Sequence, residues 1–171
     1  LTPQQNAAKY FKQYNKAKTA ETYLAAQMDL ARRERDWLES VLDLLSRAET
    51  EQDFADIRRE LREAGYLKGP TPGKKEPRRG PNRPREFVSS GGFRILVGRT
   101  NIQNDQLTRE AFKSDYWFHT QRIHGSHVIL CAGGQEPDAR SMTEAAMLAA
   151  WYSQGRNGGQ VAVDYTQVRN V

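Results

Sequence analysis

From Asn6 to Ala48 the chain carries neither proline nor glycine, and its residues favour helix throughout. Within that run, Tyr10, Tyr14, Ala17, Glu21, Leu24, Met28, Ala31, Arg35, Leu38, Leu42 and Leu45 follow one another in steps of four and three. Only Glu21 and Arg35 break an otherwise apolar seam. A repeat of 3.5 residues is the pattern of a coiled coil, not of a generic amphipathic helix. At 1.5 Å per residue such a helix would be roughly 60 Å long. So narrow a stripe is not stable alone and needs a partner helix. A second helix is predicted over Glu51–Ala64, with Phe54, Ile57, Leu61 and Ala64 on one face and Gly65 as its C-cap. It is long enough to cover only the last third of the first. The rest calls for a partner arm from a missing part of the chain or from a second copy. The chain begins at Leu1, not Met, and reads as a piece of something longer.

The net charge of +5 sits almost entirely in residues 68–86, which hold seven Lys and Arg against two Glu, with five prolines and three glycines. Such a stretch forms neither a helix nor a central strand and reads as an extended basic linker. Lys74, Lys75, Arg78, Arg79, Arg83 and Arg85 are therefore candidate contacts to phosphate backbones. Lys9, Lys12 and Lys16 form a second, weaker basic stripe on the long helix. The longest apolar run, Ala145 to Tyr152, is far too short to span a bilayer. A lone Cys131 excludes a disulfide framework and any multi-cysteine zinc site, and suits a reducing cytoplasm.

Residues 87–171 change register. Strands are predicted at Phe93–Val97, Tyr116–Thr120, His127–Cys131 and Val161–Tyr165. One helix should be capped by Asn104 or Asp105 and run to about Phe112. Another should open on the capping box Ser141-Met142-Thr143-Glu144 and end before Gly155. The expected fold is α+β: a long coiled-coil arm (1–67), a basic linker (68–86) and a small domain with a mixed sheet (87–171).

The densest chemistry is Asp115-Tyr116-Trp117-Phe118-His119 followed by His124-Gly125-Ser126-His127. On a strand Asp115, Trp117 and His119 share one face, but Asp115 and His119 lie roughly 13 Å apart, too far for a catalytic dyad. Ser126 lacks the strained turn of a hydrolase nucleophile. His119, His124, His127 and Cys131 fall close together, yet their spacing matches no zinc pattern. No catalytic residue, metal or cofactor is expected. What fits is recognition: Trp117 and His119 offer planar groups for stacking on bases, Asp115 shares their RNA-contacting face, and Ser126, His127, Arg99, Asn101, Asn104 and Asp105 offer donors and acceptors.

Several segments resemble one known family. Pro3 to Lys18, Ile57-Arg58-Arg59-Glu60-Leu61 and Gly65-Tyr66-Leu67 are similar to the ends of the coiled-coil region of NFACT proteins. Val97 to Thr108, Asp115 to His119, Gly125-Ser126-His127-Val128 and Val161 to Thr166 resemble the NFACT-R domain. The family usually has Lys-Asn at Arg99-Thr100, Ile at Tyr116 and Pro at His124. The resemblance implies a cytoplasmic ribosome quality control factor without enzymatic activity of its own. Such a factor binds the obstructed large ribosomal subunit, its rRNA and proteins, with peptidyl-tRNA and a stalled nascent chain. It recruits alanyl-tRNA for template-free C-terminal alanine tailing. The alternative is a protein-interaction adaptor or a fibronectin-binding surface protein.

Overall fold

The computed structural model describes residues 2–69 and 82–171; Lys74, Lys75, Arg78 and Arg79 lie outside the described residues. The chain divides into two units, Leu1–Leu38 and Glu39–Val171. Helix α1 spans Pro3–Ser46, close to the expected limits, and α2 spans Glu51–Glu63. In the first unit the seam residues Tyr10, Tyr14, Leu24 and Met28 are all exposed. Among the described residues no helix is long and apolar enough to cross a membrane.

The second unit holds the last turns of α1, then α2, and an α+β domain. Its strands are β1 (Arg85–Val88), β2 (Arg94–Val97), β3 (Tyr116–Thr120), β4 (Val128–Cys131) and β5 (Val163–Gln167). They lie in the order β1-β2-β4-β3-β5. Every pairing is antiparallel, where a mixed sheet was expected. The reason is topological. Helix α3 (Asn101–Glu110) joins β2 to β3, and α4 (Ala139–Trp151) joins β4 to β5. Each of these crossovers joins strands that run the same way, and each skips one place in the sheet. The joined strands therefore never become neighbours.

Side chains alternate across this sheet with the usual period of two. Ile95, Val97, Phe118, Val128 and Leu130 pack with Ala145 and Ala149 of α4. Ile129 packs on the opposite face with Leu107 of α3 and Val168, joined by the half-buried Leu96, Trp117 and Cys131. Strand β1 begins at Arg85, inside the stretch read as linker, and it takes an edge position next to β2 alone. An edge is where a strand entered from Pro84 can sit, because an edge strand leaves one row of backbone groups unpaired.

Two caps differ from expectation. Thr100 caps α3, its hydroxyl accepting from the Gln103 N–H at 3.2 Å, so Asn104 falls inside the helix. Asp138 caps α4 and accepts from the Ser141 N–H at 2.9 Å. Glu144 instead accepts from the Ser90 N–H at 2.7 Å, tying α4 to the turn after β1.

At the end of α1 the buried residues are Val41, Asp43, Leu44 and Arg47, whereas the seam residues Leu42 and Leu45 stay exposed. The face that enters the second unit is thus not the coiled-coil seam. The same holds for α2. Ile57 is buried beside Asp53, Asp56 and Glu60, while Phe54 and Leu61 are only half-buried and Ala64 is exposed. Gly65 follows α2 with φ +85°, the left-handed conformation expected of a residue ending a helix.

Candidate nucleic-acid interface

The alternation of β3 brings Trp117 and His119 to one face, as the sequence implied, and their rings stack at 5.7 Å with planes 18° apart. His127, at the entry to β4, completes the cluster. Its ring meets Trp117 edge-on at 5.3 Å and His119 edge-on at 5.4 Å. All three side chains are half-buried. The cluster opens on a polar cavity of about 130 Å³ whose lining includes His119, His124, His127, Asn101, Asn104 and Asp105. The end of α1 closes it with Ser40, Asp43 and Leu44.

Hydrogen bonds tie this wall to α3. The Thr108 hydroxyl lies 3.0 Å from the Asn104 carbonyl and 2.9 Å from His127 Nδ1. Burial, reinforced by the neighbouring His119, pushes His127 down to about 4, and burial also lowers His119. Both imidazoles are neutral at pH 7. The Trp117 indole N–H is buried without a partner among the described residues.

The expected contact residues separate into two groups. Asn101 donates to the Ser40 hydroxyl at 2.9 Å and lines the cavity, and Asp105 is exposed at its wall. Asn104 is buried, with its Oδ1 accepting from the His127 N–H at 3.1 Å; it positions the loop. These residues gather around the rings.

The others are turned inward. Asp115 is 1% exposed. Its carboxylate accepts from the backbone N–H of Ala132 at 2.8 Å and of Phe112 at 3.1 Å, so it braces a corner and does not face RNA. Ser126 is fully buried. It donates to the Gly98 carbonyl at 2.7 Å and accepts from Arg47 at 3.1 Å, which removes it as a contact and as a nucleophile. Arg99 reaches Asp53 at 3.3 Å and the Arg83 carbonyl at 3.0 Å. Arg85 lies buried over the Tyr152 ring at 4.6 Å and faces Glu49 at 3.7 Å. Arg99 fastens the segment before α3 to α2, and Arg85 ties the start of β1 to Tyr152 and Glu49. Arg83 remains exposed.

Two departures from the family pattern acquire roles. Thr100 is the α3 cap, and His124 lies 3.7 Å from Glu39. Sequence reasoning missed Ser40, Asp43, Leu44 and Arg47, because they lie off the seam. The i, i+4 spacing of Asp43 and Arg47, which form a buried ion pair, was the available signal. The three histidines share the cavity, but among the described residues no His, Cys, Asp and Glu are grouped to hold a metal.

Residues 1–79 match the family described as NFACT N-terminal and middle domains, and residues 83–171 match the NFACT protein RNA binding domain. The chain is 39% identical over 173 residues to a Bacillus subtilis protein named Rqc2 homolog RqcH, covering 99% of this chain and 30% of that one. A Streptococcus pneumoniae protein of the same name is also 39% identical over 173 residues, with 100% of this chain and 30% of the relative covered. Among solved structures, the C-terminal part of the fibronectin/fibrinogen-binding protein from Streptococcus suis aligns with a TM-score of 0.88 at 37% identity, covering 99% of this chain and 67% of that one. The chain therefore spans only about 30% of the length of these curated relatives. It belongs to the NFACT family.

Proposed function

We propose that this chain is the RNA-contacting part of a cytoplasmic ribosome quality control factor. The whole factor binds an obstructed large ribosomal subunit holding peptidyl-tRNA and a stalled nascent chain. It recruits alanyl-tRNA, so that alanines are added to the nascent chain without a template. Peptide-bond formation belongs to the ribosome, and the factor is no enzyme in its own right.

The observation that carries this reading is the Trp117–His119–His127 cluster opening on a polar cavity, within the segment that matches an RNA-binding domain. A neutral imidazole carries one N–H donor and one lone-pair acceptor, the complement of a ribose 2′-hydroxyl, the group that distinguishes RNA from DNA. Asn101 and Asp105 add a donor and an acceptor at the same opening. Arg85 and Arg99 are committed internally, so attraction to phosphate falls to Arg83, to exposed cations of the domain such as Arg109, Lys113 and Arg122, and to the Lys and Arg of residues 68–79, none of it sequence-selective.

The test is binding of the chain to purified large subunits across a salt series. A log–log slope of several released counterions is expected, and an affinity indifferent to salt refutes the electrostatic part. The Streptococcus suis relative is described as fibronectin- and fibrinogen-binding, which favours a second reading as a protein-binding adaptor. In that case capture would survive nuclease treatment.

A further inference from the structure

Strand β1 has a neighbour on one side only: it pairs with β2, and among the described residues nothing pairs with its other edge. The Ser89 N–H donates to the Phe93 carbonyl at 2.8 Å. Because an antiparallel ladder alternates, Phe87 and Arg85 also bond to β2, and Glu86 and Val88 turn their backbone groups outward. Beside this edge runs an open groove of about 430 Å³, lined by Phe87 and Val88 and, from α4, by Met147, Leu148 and Trp151. Val88, Met147 and Trp151 are 71%, 65% and 50% exposed. Met147 and Trp151 are four residues apart and lie on the same flank of α4. A free strand edge beside bare apolar side chains is a template for one more strand.

The path of the chain points to the occupant. After β5 the Val168 N–H donates to the Asp115 carbonyl at 2.9 Å and the Arg169 N–H to the Lys113 carbonyl at 3.3 Å. These bonds turn the chain onto the α3 side of the sheet, where Val168 is buried with Leu107 and Ile129. On that side a trough of about 410 Å³, lined by Phe112, Ile129, Cys131, Leu96 and Arg94, crosses β4 and β2. It ends at Arg94, the register partner of Val88. Phe112 is 75% exposed beside it. Gln167, Tyr116, Leu130, Ile95 and Phe87 form one row across the five strands. Four strand spacings, roughly 19 Å, separate the ends of that row, a gap that about six extended residues bridge. A strand arriving this way enters at Val88 and runs antiparallel to β1, like every other pairing in the sheet.

The relatives carry polypeptide beyond the matched part. We propose that a segment of this polypeptide following Val171 crosses the trough and adds a sixth strand to the sheet. It pairs with Glu86 and Val88 and packs alternate apolar side chains against Met147 and Trp151. One occupant then accounts for both cavities and for the bare Phe112. Tethered by about six residues, such a strand meets the edge at an effective concentration of the order of millimolar. A second copy or a separate peptide matches that only when supplied at the same bulk concentration.

The test compares the 171-residue chain with the natural full-length polypeptide by amide hydrogen exchange resolved to single residues. In the 171-residue chain the Phe87 and Ser89 amides should be protected, while those of Glu86 and Val88 exchange quickly. In the full-length polypeptide the Glu86 and Val88 amides should slow by about tenfold or more, equally at every protein concentration. Met147→Glu, at an exposed site, should leave the melting of the 171-residue chain unchanged. In the full-length polypeptide it should undo the slowing, because it sets a charge beneath the added strand. Fast exchange of Glu86 and Val88 in the full-length polypeptide overturns the proposal, as does a natural polypeptide that ends at Val171. Slowing that grows with protein concentration gives the edge to a second copy, and slowing that requires an added protein gives it to that partner; either result overturns it. Slowing that survives Met147→Glu rejects the packing against α4. None of these outcomes depends on RNA binding.

Discussion

Arg47 Nη1 donates to the Ser126 hydroxyl at 3.1 Å and to the Tyr152 carbonyl at 2.6 Å, locking the residue after α1 onto the loop that carries His127. Ser126 passes the link to the Gly98 carbonyl. One buried guanidinium therefore holds together the helix end, the entry to α3 and the wall of the histidine cavity.

Replacing Arg47 by Ala leaves the Asp43 carboxylate buried without its cation and takes one hydrogen bond each from the Ser126 hydroxyl and the Tyr152 carbonyl. Loss of one partner of a buried pair costs about 3–5 kcal/mol. Urea unfolding followed by Trp fluorescence should show this as a lowered midpoint. The double variant Asp43→Asn with Arg47→Met should recover part of it, since no lone charge is then buried. Equal losses in the two variants would mean that the charge itself is unimportant.

Acid should weaken the domain before its carboxylates titrate. In the unfolded chain His127 takes a proton near 6.5, whereas the folded domain refuses it until about 4. Between those values the unfolded state binds more protons, so stability falls as pH drops through that window. The loss is up to about 3 kcal/mol at the acid end, and the lowered His119 adds in the same direction. His127→Gln should flatten the decline between pH 6.5 and 4. A wild-type curve level over that range would contradict a neutral buried imidazole.

At the candidate interface, His119→Ala removes a ring that stacks on Trp117 without touching the apolar core. It should weaken binding to large subunits about tenfold, with circular dichroism unchanged. Trp117→Ala is less clean, because Trp117 also packs with Leu107, Ile129 and Val168, and should lower stability as well. Unchanged affinity in folded His119→Ala would return the cluster to a packing role.

Gly98 is held to glycine by close approach. A Cβ there would lie 2.0 Å from the Asn104 Oδ1 atom, the acceptor for the His127 N–H. Gly98→Ala should displace Asn104, cost about 1–3 kcal/mol by overpacking, and shift the His127 ring resonances. Gly92, where a Cβ would meet nothing within 4 Å, has φ +84°. Gly92→Ala should therefore be destabilising through backbone strain alone, leaving the His127 resonances in place.

Local pattern alone determined the long helix, the strands β2, β3, β4 and β5, and the shared face of Trp117 and His119. Each is set by residue preference or a short period that neighbouring residues carry among themselves: helix formers without Pro or Gly, and runs of aromatic and β-branched residues. The tertiary structure decided the rest. His127 joins Trp117 only because β4 takes the slot between β2 and β3. Asp115, Ser126, Arg85 and Arg99, polar residues in a promising neighbourhood, are spent on bracing. Their buried partners are the Ala132 N–H, the Gly98 carbonyl and Asp53, together with Glu49 at the surface, and all of them come from distant parts of the chain. A buried polar group must find such a partner. Which partner it finds depends on strand order and on the off-seam face of α1, and neither has a local signature in the sequence.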